Sequence, residues 1–141
     1  MGAICFTVPG EPRGKGRPRF GRGHTYTDAK TVSFENLIGW TASQAMNGQE
    51  PFSGPVCVTI AARFAPPVSA SRKVRTAMLG GEIIPTRVDA DNLGKLVCDG
   101  LNRVAYVDDR QVASLLIRKF YAETPGLDVV IRAHVPEGVM A

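Results

Sequence analysis

The stretch VCVTIAARF, Val56 to Phe64, sets the strongest limit on the fold. Val56, Val58, Ile60, Ala62 and Phe64 fall at every second position, so an extended chain puts them all on one side. A strand with one apolar face has to lay it on another layer, which implies a sheet with a covered side. AICFTV repeats the pattern near the N-terminus through Ile4, Phe6 and Val8. QVASLLIRKFYAE and LDVVIRAHV read as two more strands joined by a turn at TPG, and GGEIIPTRV as another. Between them, Phe34, Leu37, Ile38, Thr41, Ala42, Ala45 and Met46 fall at helical spacing, with Thr27 or Asp28 as cap and Trp40 in the core. PPVSASRKVRTAML reads as a turn and a short basic helix, and Leu93, Leu96, Val97 and Leu101 mark the apolar stripe of a helix from Asn92 to Leu101. Strand, helix, strand, short helix, strand, helix, strand, strand predicts an α+β fold: a mixed, mainly antiparallel sheet packed against a few helices, in a single domain over residues 1–141.

Composition excludes several classes. No apolar run approaches the ~20 residues of a membrane helix, and no basic residue precedes the short apolar run at the N-terminus, so a secretory signal is not expected. Cys5, Cys57 and Cys98 lack metal-binding spacing and read as small buried apolar side chains in a reduced compartment. The expected location is the cytoplasm.

The chain carries a net charge of +4, yet Arg87 to Val112, RVDADNLGKLVCDGLNRVAYVDDRQV, gathers Asp89, Asp91, Asp99, Asp108 and Asp109. In an extended chain Asp89 and Asp91 point to the same side. Asp91 stands at the helix start, and Lys95 follows it by four positions on the same helix face. The strand after Asp108 and Asp109 can bring that pair back beside the first. Clustered carboxylates repel one another unless a cation sits among them, and a hard cation such as Mg²⁺ prefers oxygen ligands. Such an ion activates water and neutralises charge growing on a phosphate, and Lys95 could touch the phosphate or orient the water. Structural readings compete at each position. Asp91 can be a helix cap. Asp91 with Lys95 can be a helix pair stabilising by only ~0.2–0.5 kcal/mol. Asp108–Asp109 can be turn residues, and Asp99 is assigned to solvent or structure.

Basic residues gather elsewhere. PGEPRGKGRPRFGRGHTY reads as a long loop carrying Arg13, Lys15, Arg17, Arg19 and Arg22, with Phe20, His24 and Tyr26 able to stack on bases. Arg72, Lys73 and Arg75 form a second basic site. The competing reading is a solvated arm. Two basic patches beside an acidic centre favour nucleic acid as the partner.

The Arg87–Val112 segment resembles the signature of RusA-type Holliday junction resolvases, small endodeoxyribonucleases common in phages and prophages. The family pattern is Asp, any, Asp, Asn, Leu, then Lys two positions on, then Asp-Ala-Leu-Asn, then Asp-Asp followed closely by Gln-Val. KGRPRF with YT, and SASRKVRTAMLGG, extend the resemblance over most of the chain. It implies that Asp89, Asp91 and Asp109 are catalytic metal-binding aspartates, that Lys95 is the essential lysine, and that Asp108 is a neighbouring acid at the metal. It also implies a homodimer that cuts four-way branched DNA with paired nicks in recombination and repair. The cofactor would be Mg²⁺, with Mn²⁺ as a substitute, and neither a membrane nor an organic cofactor is involved. Gly100 replaces the family's Ala, Arg103 stands where Gly is frequent, and Gly94 is costly in a helix by up to ~1 kcal/mol against Ala. The alternatives are a metal-dependent nuclease acting on other branched or single-stranded DNA, and a junction-binding protein that does not cleave.

Overall fold

Strand alternation sets the layers. The computed structural model describes residues 2–14, 19–21, 24–26 and 29–136, with backbone alone over 19–21 and 24–26. Strand β1, Ile4–Pro9, buries Ile4, Phe6 and Val8 and leaves the intervening residues exposed. After β2 (Arg19–Gly21), β3 (His24–Tyr26) and helix α1 (Ala29–Met46), strand β4, Val56–Phe64, buries Val56, Val58, Ile60, Ala62 and Phe64 as its spacing requires. Helices α2 (Arg72–Leu79) and α3 (Ala90–Leu101) and a 3-10 helix at Asp109–Gln111 precede β5 (Val112–Tyr121) and β6 (Gly126–Ala133).

The four-stranded sheet runs β1-β6-β4-β5. β6 is antiparallel to both β1 and β4, while β4 and β5 are parallel. The turn after β5 therefore does not make a hairpin: β6 passes over β4 to lie between β4 and β1. Burial explains the order. Leu127, Val129 and Ile131 of β6 are fully covered, whereas β5, carrying Ser114, Arg118 and Lys119, takes the edge. The parallel β4/β5 pair needs a long crossover, and α2, α3 and the 3-10 helix lie within it.

Helix α3 buries Leu93, Leu96, Val97 and Leu101, the expected stripe. It crosses α1 at very close range: a Cβ on Gly39 would sit 2.8 Å from the Gly100 carbonyl oxygen, and one on Gly100 would sit 2.9 Å from that of Glu35. Four expectations fail here. Trp40 is 63% exposed, because the α1 side facing α3 and β1 is supplied by Thr31, Ile38, Gly39, Ala42 and Met46. GGEIIPTRV forms no strand: Gly81 takes φ 86°, Ile83 donates back to Ala77, and Pro85 offers no N–H. Cys5 is exposed rather than buried, since it alternates with Ile4 and Phe6; Cys57 is buried and Cys98 partly so. Within the basic segment expected as a loop, β2 and β3 pair antiparallel from Arg19–Tyr26 to Gly21–His24. Among the described residues no helix is long and apolar enough to cross a membrane.

Candidate active site

The start of α3 carries the first acids. Asp89 is the N-cap residue, with extended backbone (φ −68°, ψ 139°), but its carboxylate makes no capping hydrogen bond. Its carbonyl instead accepts the first helical bond, from Leu93 N at 3.0 Å. Asp91 lies in the first helical turn, where unpaired amides and the helix dipole favour a negative charge. The two acids are thus not neighbours on an extended chain: one flanks the helix and the other belongs to it. Lys95 is one turn further, and Asp89, Asp91 and Lys95 are all exposed. Among the described residues no ion pair joins Asp91 to Lys95. Neither the capping reading nor the helix-pair reading accounts for these side chains.

Asp108 and Asp109 differ at the 3-10 helix. Asp108 caps it, accepting from Arg110 N at 2.9 Å, while its own N–H donates to Gln111 Oε1 at 2.9 Å, a reciprocal capping box. The Arg110 amide, more than the Arg110 charge, holds the Asp108 carboxyl below the ordinary carboxylate range. Gln111 Nε2 donates to the Phe52 and Gly54 carbonyls, both at 2.8 Å, which ties the segment to the chain ahead of β4. Asp109 is exposed and lies within electrostatic reach of Cys98, in the C-terminal half of α3, and of Tyr106 beyond it. Burial pushes the Cys98 thiol and the Tyr106 hydroxyl up, and the Asp99 and Asp109 charges add to it. Tyr106 donates its hydroxyl to the Cys98 carbonyl at 2.8 Å.

Asp89 and Asp91 thus stand at the start of α3, and Asp109 opens the 3-10 helix that follows it in sequence. Among the described residues no three His, Cys, Asp or Glu side chains lie close enough to hold a metal ion, so the expected convergence of Asp89, Asp91 and Asp109 is not seen in this arrangement.

A cleft of about 260 Å³ opens at Asp89, lined by Gly14, Arg87, Val88, Asp89 and Asn92. Gly14 is needed there: a Cβ would sit 2.8 Å from Val88 Cγ1 and 3.3 Å from Asn92 Cβ. The basic segment thus departs from directly beside the acids. Glu11 fixes this corner by pairing with Arg87 and accepting from Ala65 N at 3.1 Å, and the Arg87 guanidinium lies 5.5 Å from the centre of the Phe64 ring. Lys119 Nζ donates to the Val88 carbonyl at 2.7 Å.

Of the expected DNA contacts, Arg13 lines a cleft of about 290 Å³ with Lys30 and Ser33 of α1. Arg72 and Lys73 are exposed beside another, about 600 Å³, that includes Thr76 and Glu82; Arg75 is half-buried. Lys15, Arg17 and Arg22 lie outside the described residues, and Arg19 is described by its backbone alone. Reading the sequence missed Glu11, Arg87, Gln111 and Lys119. A signal existed for Lys119, which occupies a position in β5 that alternation assigns to the covered face.

Comparison with known proteins places the chain in a family. The family model for endodeoxyribonuclease RusA matches residues 9–132. The chain is also similar to an uncharacterized protein, YqaN, of Bacillus subtilis (strain 168), 38% identical over 139 residues that cover 94% of this chain and 97% of the relative. The family match runs from Pro9, where β1 ends, to Arg132 in β6 and takes in Asp89, Asp91, Lys95, Asp108 and Asp109, so the chain belongs to the RusA family of endodeoxyribonucleases, enzymes that resolve Holliday junctions by hydrolysing phosphodiester bonds.

Proposed function

We propose that this chain is a divalent-metal-dependent resolvase that cuts four-way junctions with paired nicks as a homodimer, acting in the cytoplasm in recombination and repair. The observation that carries the reading is the start of α3, where Asp89 occupies the cap position without capping and Asp91 and Lys95 follow without an ion pair to each other among the described residues. Exposed carboxylates with neither a capping hydrogen bond nor an ion pair among the described residues are a fitting donor set for a hard cation such as Mg²⁺, with Mn²⁺ as substitute. Asp89, Asp91 and Asp109 would hold it. A bound ion of this kind lowers the pKa of its water and offsets charge growing on the phosphate. Without a cation such carboxylates repel. Lys95 would contact the scissile phosphate or orient the attacking water. Asp108 would act through Asp109, by capping the 3-10 helix that presents it, as well as adding negative charge at the ion.

Arg13, Lys15, Arg17, Arg19 and Arg22, with Arg72, Lys73 and Arg75, would hold the junction's phosphates. The junction has two-fold symmetry and needs two opposed nicks, which a second copy supplies. The proposed interface is the uncovered face of the sheet, where Leu116 is 50% exposed and Thr59, Ala61 and Phe120 are half-buried. Light scattering at micromolar concentration should show a dimer; a monomer that still makes paired nicks would remove the symmetry argument. Cleavage of a synthetic four-way junction against linear duplex, with and without Mg²⁺, tests the activity. Equal cutting of both substrates would instead support a nuclease of broader choice, and binding without cutting a junction-binding protein.

A further inference from the structure

Lys119 is out of place by the logic of its strand. Along β5, Leu115, Ile117, Lys119 and Tyr121 pair with Val58, Ile60, Ala62 and Phe64 of β4, so this row faces the helix-covered side. Helix α3 lies on it: a Cβ on Gly94 would meet Ile117 Cδ1 at 2.6 Å and Leu115 Cδ2 at 3.1 Å. Followed along β5, the row runs toward the start of α3, and its next member is a lysine. A partly buried ammonium needs a partner to offset its lost hydration. Among the described residues the partner is not an acid but the neutral Val88 carbonyl, at 2.7 Å.

That carbonyl belongs to the peptide joining Val88 to Asp89. The next carbonyl along, Asp89's own, accepts from Leu93 N at 3.0 Å. Two successive carbonyls are thus held, one by the sheet edge and one by the helix. The Asp89 side chain makes no capping bond, so α3 itself does not orient it. Its backbone is the handle, and Lys119 grips that handle.

We propose that Lys119 is a positioning residue for this site: its ammonium, anchored on the Val88 carbonyl, fixes the peptide that aims the Asp89 carboxylate. This rests on the reading of Asp89 as a site residue. The role is separate from that of Lys95, which stands in the helix face itself, and from the basic patches, which would hold DNA.

The test compares Lys119→Met, which removes donor and charge, with Lys119→Arg, which keeps both. Lys119→Met should lower kcat on a four-way junction by about 10- to 100-fold, the scale on which small misplacements act, with junction affinity within about threefold of wild type. Lys119→Arg should recover most of kcat. A second readout needs no cleavage. Exchange of the Leu93 amide should speed by about tenfold in Lys119→Met through local opening of the first turn, while Val97 and Leu101 keep wild-type protection. Wild-type kcat together with wild-type Leu93 exchange in Lys119→Met overturns the proposal. So does a Lys119→Met that unfolds and is not restored by Lys119→Arg, which would make the lysine a folding residue. If the wild-type protein does not cut a junction, the proposed activity fails, and the Leu93 exchange still decides whether Lys119 fixes this peptide.

Discussion

Asp91 shows what one position in the acidic segment contributes. It is exposed in the first turn of α3 and forms no ion pair with Lys95 among the described residues. Its contribution to folding is the charge–dipole effect of a helix start, about 0.3–1 kcal/mol. Asp91→Asn should therefore melt within a few degrees of wild type, while cleavage falls by at least ~10²-fold, on the order of losing one charge-stabilising group. Junction affinity should hold or rise, because a repulsion toward phosphate goes with the charge. Binding measured beside the melt checks this; loss of binding and stability together would mean the residue is structural. Arg103 illustrates the opposite kind of residue. It takes φ 66°, a left-handed conformation that glycine adopts without strain, which accounts physically for the glycine frequent at that point of the family pattern.

At the level of elements, the crossing of α1 and α3 decides which residue position 100 can carry. Alanine has the better helix propensity by up to ~1 kcal/mol. Here, however, its Cβ would press on the Glu35 carbonyl at 2.9 Å and on Ile38 at 3.1 Å, and backbone cannot swing aside as a side-chain end can. Gly100→Ala should thus destabilise by about 1–3 kcal/mol, the cost of overpacking, read from denaturant unfolding; a more stable variant would show that the helices can part freely. The sheet offers a pH-dependent case. Asp128 in β6 accepts from Arg63 Nε at 2.9 Å, Arg63 Nη2 at 3.0 Å and Thr7 Oγ1 at 2.7 Å, joining β4, β6 and β1. The Arg63 hydrogen bonds lead in holding its carboxyl below the usual range. A depressed folded-state pKa means stability that is present above the unfolded value and lost as pH falls through the folded one. For a pair this exposed the contribution is about 1 kcal/mol or less. Asp128→Asn should lower the melting temperature at neutral pH and leave a smaller loss on acidification below about pH 4. Identical acid profiles for the two proteins would remove Asp128 from the account.

For the whole molecule, a net charge of +4 with basic side chains on α2 and around Arg13 predicts binding dominated by phosphate contacts. Junction affinity should fall steeply with salt. Replacing both Arg72 and Lys73 with Gln should lower the slope of log K against log salt by about 2, roughly one for each phosphate that is no longer neutralised. A slope unchanged in the double variant would place the DNA elsewhere. Salt titrations on a four-way junction and on a duplex separate this general attraction from any preference for branch shape.

Much of this is legible in the sequence. Alternation in Ile4–Phe6–Val8 and Val56–Phe64 and the stripe Leu93–Leu96–Val97–Leu101 identified the buried faces, because period two and period 3.6 are local properties of the backbone. The acids announced themselves by their density in a basic chain. Order within the sheet was not local. β5 and β6 adjoin in sequence, yet β6 takes the centre and β5 the edge, since burial of Leu127, Val129 and Ile131 outweighs the short turn between the strands. Trp40 sits at a helical position whose exposure depends on where α3 crosses. That Asp108 and not the adjacent, chemically identical Asp109 caps the 3-10 helix is set by which carboxylate meets the Arg110 amide. The hold of Lys119 on Val88 spans 31 positions. Sequence alone determined most of the elements and which acidic and basic residues each carries; only tertiary packing decided which of those groups meet, because contacts between distant residues depend on the burial of the whole chain.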